Sequence, residues 1–444
     1  MISLIVRSDR VLVDGALRPG AVLIEDGRIA AVGPRDASGA EVHDVGDAVV
    51  MPGVVDTHVH VNEPGRTEWE GFATATLSAA AGGTTTLVDM PLNSIPATTT
   101  AAALAEKRAA AREKVAIDVG FWGGVVPGNR DQLAPLVAGG ALGFKCFLVE
   151  SGVDEFGWVG EKELAPALET LAGLGVPLLA HAEVAGPIDA AAAALAGADP
   201  RAYATYLASR PPESEAQAIE LLVRLVRATW ARVHIVHHSA ATALPLIAGA
   251  RAEGLPLSAE TCPHYLTFAA EEIPDGATAY KCAPPIRERD NREALWEALA
   301  EGVLDLVATD HSPCAPSLKG LEAGDFAAAW GGISGLQLGL SATWTGARQR
   351  GFGVADLARW MCAGPARLAG LTSRKGALVP GLDADLVVWR PEDSFTVEPA
   401  RLEHRHKVTP YAGAELFGVV ESTYLRGERI FHRGEHAPRT GRLL

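Results

Sequence analysis

Through the centre of the chain, short apolar runs alternate with longer alanine-rich stretches of helical character. Runs of this length and make-up, bounded by turn residues, read as buried strands. They fall at 54–60, 84–90, 116–122, 143–148, 177–182, 233–238, 257–264 and 306–311. Between them, helices are predicted over stretches such as 72–81, 101–114, 213–228 and 292–300. The alanine run at 189–198 reads as a surface helix, because alanine is the strongest helix former. Eight strand–helix units without a long antiparallel signal predict a closed parallel barrel.

The two ends of the chain have a different texture. Strands are predicted over 3–6, 10–13 and 21–24, with Asp26-Gly27 as a hairpin turn. Near the other end, 384–389 reads as a strand and 422–431 as a hairpin around Arg426-Gly427-Glu428. The expected fold class is therefore α/β. A (β/α)8 TIM-like barrel over 51–376 carries a small composite β-sandwich domain formed by 1–50 and 377–444.

Composition narrows this picture. A chain of 444 residues suits a barrel plus a smaller module. Hydrophobic residues at 48% and charged residues at 21% are globular values. Lys and Arg number 39 against 54 Asp and Glu, a formal charge of −15 that argues against a nucleic-acid partner. No apolar run is long enough to cross a bilayer, and residues 1–7 lack the pattern of a signal peptide. The five cysteines, Cys146, Cys262, Cys282, Cys314 and Cys362, are scattered and odd in number. They predict no disulfide framework and a reducing, cytoplasmic setting.

Candidate chemistry sits at the strand ends. The stretch Val54-Val55-Asp56-Thr57-His58-Val59-His60 ends in two histidines spaced i, i+2. On a strand these share one face, and Pro64-Gly65 soon ends the run. The pair then lies where a barrel places its chemistry, at the C-terminal end of a strand. The alternative is two histidines without a common task. Lys145 stands alone inside Gly143-Phe144-Lys145-Cys146-Phe147-Leu148. A buried ammonium needs a partner or a modification. It is either ion-paired or converted by CO2 into a carbamate, an anion able to bridge two metal ions. Cys146, its neighbour, should face the other way as a packing residue.

His181 ends the fifth strand, and the sixth carries His234, His237 and His238. Strand alternation lets at most one of His234 and His237 face the lumen. His237, nearer the C-terminal end, is the candidate, with His234 and His238 structural. Asp310 ends the eighth strand, as a candidate metal ligand and general base.

Taken together, His58-x-His60, Lys145, His181, His237 and Asp310 resemble the binuclear amidohydrolase superfamily, in its cyclic-amidohydrolase branch. Within that branch the chain most resembles the allantoinases. Asn62-Glu63-Pro64-Gly65-Arg66, Cys262-Pro263-His264-Tyr265, Asp310-His311-Ser312-Pro313-Cys314 and Trp330-Gly331-Gly332-Ile333-Ser334 carry that likeness. The resemblance implies two divalent metal ions per chain, Zn2+ foremost, with Fe, Co or Mn also suited to such donors. It places one ion on His58, His60 and Asp310 and the other on His181 and His237, with Lys145, carboxylated by CO2, bridging both. The implied reaction is hydrolysis of the cyclic amide of allantoin to allantoate by a bridging hydroxide, Asp310 carrying the proton, in purine and ureide catabolism. Asn93, Cys282, Gly332, Ile333 and Ser334 are the expected substrate contacts, although Asn93 could equally cap a turn. His264 and Arg66 are weaker candidates, each with a structural alternative.

The related dihydroorotases carry Arg two residues after the second metal-binding histidine. Here that position is Asn62. Without the bidentate guanidinium, an acidic ring is a poorer fit than a neutral one. The resemblance also implies a small-molecule substrate, no membrane or nucleic-acid partner, and a homotetramer by analogy. Two alternatives remain: a hydantoinase or dihydropyrimidinase acting on other cyclic ureides, and a non-catalytic dihydropyrimidinase-like scaffold. The intact set of candidate ligands stands against the second.

Overall fold

The computed structural model describes residues 2–444. Three parallel strands, Val54–Val59, Thr84–Asp89 and Asp118–Phe121, form one hydrogen-bonded run. Gly123–Gly124, Phe144–Phe147, Leu178–His181, Val233–Ile235, Leu257–Thr261 and Leu306–Val307 form a second. Only Trp122 separates Phe121 from Gly123, so the third strand passes from one run into the other. At the opposite seam Val59 bridges His311 in parallel, and the His60 N–H donates to the His311 carbonyl at 2.8 Å. These two joints close an eight-stranded parallel barrel.

The helices follow the alanine-rich stretches: Phe72–Ala81, Ala101–Ala111, Ala185–Ala194, Pro212–Thr229 and Arg289–Glu301. Pro212–Thr229 shows why. Proline opens it where no N–H partner is needed, and Glu213 and Glu215 lie in its first turn. Ala218, Ile219, Leu222, Val223 and Val226 then form one buried stripe at helical spacing. Among the described residues no helix is long and apolar enough to cross a membrane.

Three strand ends differ from expectation, and each has a backbone cause. The sixth strand stops at Ile235 instead of reaching His238, and His237 has φ 39°. The eighth covers only Leu306–Val307, and Asp310 has φ 45°. Left-handed residues cannot continue a ladder. The seventh stops at Thr261, because Pro263 starts the short helix Pro263–Thr267 that carries His264.

The two chain ends build one nine-stranded sheet. The predicted strands 3–6 and 10–13 are a single strand, Leu4–Val13, with an irregularity between Ser8 and Val11. Val49–Pro52 joins the halves, lying parallel to Leu4–Val13 and antiparallel to Leu386–Thr396. Asp26 and Gly27, at φ 51° and 76°, make the two-residue turn of the kind that matches strand twist. Arg426 and Gly427, at 48° and 78°, do the same between Glu415–Leu425 and Glu428–His432.

A buried ion cluster fastens this sheet to the barrel. Lys375 Nζ lies 2.7 Å from Asp118, 2.5 Å from Asp385 and 3.1 Å from Asp383. Arg426 also pairs with Asp118. Removing the lysine leaves three carboxylates facing one another. Lys375→Met is therefore expected to destabilise the chain by about 3–5 kcal/mol, seen as a fall of several degrees in Tm by calorimetry.

Candidate metal centre and cavity

His58, His60, Lys145, His181, His237 and Asp310 all line one cavity of about 560 Å3 at the C-terminal face of the barrel strands. His58 Nε2 and His60 Nε2 lie 3.1 and 3.4 Å from the same oxygen, Asp310 Oδ1. One ligand atom from each of these three residues falls within 4.8 Å of the others. His181 Nδ1 faces His237 Nε2 at 3.0 Å, and the His58 and His237 ring centres are 5.3 Å apart. The two groups therefore adjoin. Lys145 Nζ is buried with no hydrogen-bond partner, 5.0 Å above the Phe147 ring.

The electrostatics suit metal ligation. Burial lowers His60 to about 4 despite the neighbouring Asp310 carboxylate. Burial likewise lowers His181, and burial with the adjacent Lys145 carries His237 well below the usual histidine range. At neutral pH these imidazoles are uncharged and keep a lone pair, the form a metal ion needs. Burial would raise Asp310, but the His58 and His60 imidazoles outweigh it and hold the carboxyl well below its ordinary value. Burial brings Lys145 down to about 8, so roughly a tenth of it is neutral amine at pH 7.

A layer of carboxylates behind the cluster fixes which imidazole nitrogen is free. Glu260 Oε1 accepts from His58 Nδ1 at 2.5 Å, which leaves His58 Nε2 turned to Asp310. Its other oxygen accepts from His234 Nε2 at 3.0 Å. Glu183 Oε2 accepts from His181 Nε2 at 2.7 Å, and Arg210 clamps the same carboxylate through two bonds of 3.0 and 2.6 Å. Burial works to raise Glu183, yet Arg210 and His181 hold it at about 2. Asp56 accepts from Thr309 Oγ1 and from the His58 amide, tying the first strand end to the eighth.

Asp56, Glu260 and Arg210 were not singled out in the sequence. Asp56 and Glu260 could have been, since a carboxylate inside an apolar strand must find a partner. Such partners set ligand orientation. Glu260→Gln is expected to weaken metal affinity by about 10- to 100-fold, measured by competition with a chromogenic chelator.

Of the sixth strand's pair only His237 lines the cavity, and His234 serves behind it through Glu260. Strand alternation is not the cause, because the strand ends between them and His237 takes a left-handed φ. His238 is buried 3.7 Å from Glu215 and does not line the cavity.

Of the expected substrate contacts, Asn93 and Gly332 line the cavity. Asn93 Nδ2 is 3.5 Å from His60 Nδ1. Cys282, Ile333 and Ser334 lie behind the wall. Their carbonyls already accept bonds from Tyr206 Oη, the Ser312 amide and Thr409 Oγ1. Arg66 braces the wall by donating to the Asn93 carbonyl at 2.8 Å and pairing with Glu155. His264 is buried against Tyr265, with ring centres 4.3 Å apart, and burial lowers it to about 4. Asn62, at φ 66°, donates to the Pro313 carbonyl and stays out of the cavity.

A closed parallel barrel with this donor set at its C-terminal face is the architecture of a metal-dependent hydrolase. Residues 49–430 match the amidohydrolase family model, and the chain belongs to that family. A short match over residues 20–37 is to an imidazolonepropionase-like composite domain of bacteria. The chain is 55% identical to a Streptomyces avermitilis protein named allantoinase, covering 100% of this chain and 98% of the relative. It is 42% identical to the Saccharomyces cerevisiae allantoinase, covering 98% and 96%. Among solved structures, an L-hydantoinase (dihydropyrimidinase) from Arthrobacter aurescens superposes with TM-score 0.94 at 30% identity, covering 100% and 99%.

Proposed function

We propose that this chain hydrolyses the cyclic amide of allantoin to allantoate. The observation that carries the reading is the convergence of His58, His60, Lys145, His181, His237 and Asp310 on one cavity, in a chain whose full-length relatives are named allantoinases. His58, His60 and Asp310 would hold one divalent ion, and His181 and His237 a second. Lys145, as a carbamate, would stand between them. Its unpartnered buried nitrogen and the uncharged imidazoles fit that assignment. Neutral nitrogen and carboxylate donors favour zinc.

Bound ions of this kind lower the pKa of water and polarise a carbonyl. The chain supplies the rest. Ionised Asp310 takes the proton of the attacking water and returns it to the departing ring nitrogen, so that the C–N bond breaks as the new C–O bond forms. The water oxygen ends in a carboxylate, the nitrogen gains one of the water's protons, and the other is released to solvent. Asn93 meets an amide edge of the ring, and Gly332, whose N–H and carbonyl are taken by the Lys281 carbonyl and Lys319, shapes the cavity as part of its wall. Leu92, Phe147 and Trp330 give the cavity an apolar wall that excludes bulk water. The domain boundaries, a cytoplasmic location and a tetrameric assembly belong to the same proposal.

The lining favours a neutral substrate arm. Arg210, a cation at the cavity, is already engaged by Glu183, and Asn62 offers no guanidinium. Dihydroorotate should therefore be turned over with kcat/KM at least about 100-fold below that for allantoin. A 5-alkyl hydantoin should fall between them. Steady-state assays on the metal-loaded protein check this, and an alkyl hydantoin preferred over allantoin would move the activity to the hydantoinase side.

A further inference from the structure

Behind the cavity wall lies an ammonium that the ring-opening chemistry does not use. Lys319 ends the short helix Pro316–Lys319 and is buried. Its Nζ meets only backbone carbonyls: Trp330 at 3.1 Å, Lys281 at 3.5 Å, and Gly332. Among the described residues it has no carboxylate partner; its titratable neighbours are Lys281 and the thiols Cys314 and Cys282, which burial keeps protonated, and burial lowers Lys319 itself. A buried cation without a counter-charge is costly, and here carbonyl dipoles alone offset it. That is the donor set of a monovalent-cation site, with the cation tethered to the chain.

Lys281 extends the pattern. Its Nζ reaches the Ala327 carbonyl at 3.2 Å and the Ala329 carbonyl at 2.5 Å. The two lysines thus hold four carbonyls of the segment 327–332, every residue of which lines the cavity. The Gly332 N–H donates to the Lys281 carbonyl at 2.8 Å and ties the two grips together. Gly332 has φ 129°, and a Cβ there would lie 2.3 Å from the Ser312 carbonyl oxygen. The wall therefore presses on the loop that carries Asp310, and a small shift of the wall alters the space above the histidine cluster.

We propose that Lys319 is a positioning residue, a tethered cation that holds the 327–332 wall against the Asp310 loop and so sets affinity for the ring. The kinetic part rests on the ring-hydrolase reading; the cation part does not. Lys319→Ala leaves the carbonyls facing a space that ethylammonium can fill, and Lys319→Gln keeps donors without the charge. Each is compared with wild type in ethylammonium chloride and in sodium chloride of equal strength.

Ethylammonium is expected to raise the Tm of Lys319→Ala by a few degrees through binding to the folded state, and to leave wild type and Lys319→Gln unmoved. The KM of Lys319→Ala for allantoin should rise about tenfold with a smaller change in kcat, fall back with ethylammonium, and leave metal content unchanged. A Tm indifferent to ethylammonium, or a wild-type KM, overturns the proposal. If Lys319→Ala does not fold, Lys319→Gln decides: a raised KM at full metal content supports the proposal and a wild-type KM overturns it. If wild type leaves allantoin intact while ethylammonium still stabilises Lys319→Ala, the substrate reading fails and the cation site stands.

Discussion

Lys145→Ala is expected to lower kcat/KM for allantoin by at least about 1,000-fold, close to 4 kcal/mol of transition-state stabilisation, and to lower metal content in the same preparation. The reason is local. The nitrogen is buried with no partner, and burial has lowered its pKa to about 8. In the proposed site it becomes the anion between two sets of neutral imidazoles. Alanine removes that charge and leaves the His181 and His237 pair with no anion on its metal-facing side, since Glu183 sits on the far nitrogen of His181. Elemental analysis beside steady-state assay, with bicarbonate present, checks both parts. Full turnover by the variant would remove Lys145 from the chemistry.

Asp310→Asn separates proton transfer from metal retention. Asparagine keeps an oxygen near His58 Nε2 and His60 Nε2, but it cannot accept the water proton at neutral pH. Turnover should fall by about 100- to 10,000-fold, with metal content reduced less than in Lys145→Ala. Equal loss of metal in both variants would mean that Asp310 acts as a ligand alone. His60 and Asp310 also pull against each other, since burial lowers the imidazole while the neighbouring rings hold the carboxyl ionised. That division of charge lets one residue donate a lone pair and the other accept a proton.

Much of this site was legible because strand geometry is local. The i, i+2 spacing of His58 and His60 and the positions of Lys145 and His181 near strand ends follow from a two-residue period and the barrel's polarity, whereas Asp310 lies past the eighth strand at a left-handed φ. Legibility stopped where the backbone leaves the strand. Nothing in Val233-His234-Ile235-Val236-His237 announces the left-handed φ that brings His237 to the same network as His234. Partners distant in the chain were equally hidden. Glu260 lies 202 residues from His58, and Arg210 reaches His181 only through Glu183. The same holds for the composite sheet, where Val49–Pro52 joins both chain ends through pairings that local texture does not encode. Cys282, Ile333 and Ser334 were placed in the site by motif. The structure sets them one layer behind Gly332, with their carbonyls already engaged.

The most direct test is metal content and allantoin turnover measured on one preparation of the wild-type chain, reconstituted with zinc and bicarbonate. The expected result is about two ions per chain and steady formation of allantoate that ceases as a chelator strips the ions. Allantoin left intact by a protein holding both ions would contradict the substrate, and undiminished turnover by metal-free protein would contradict the site.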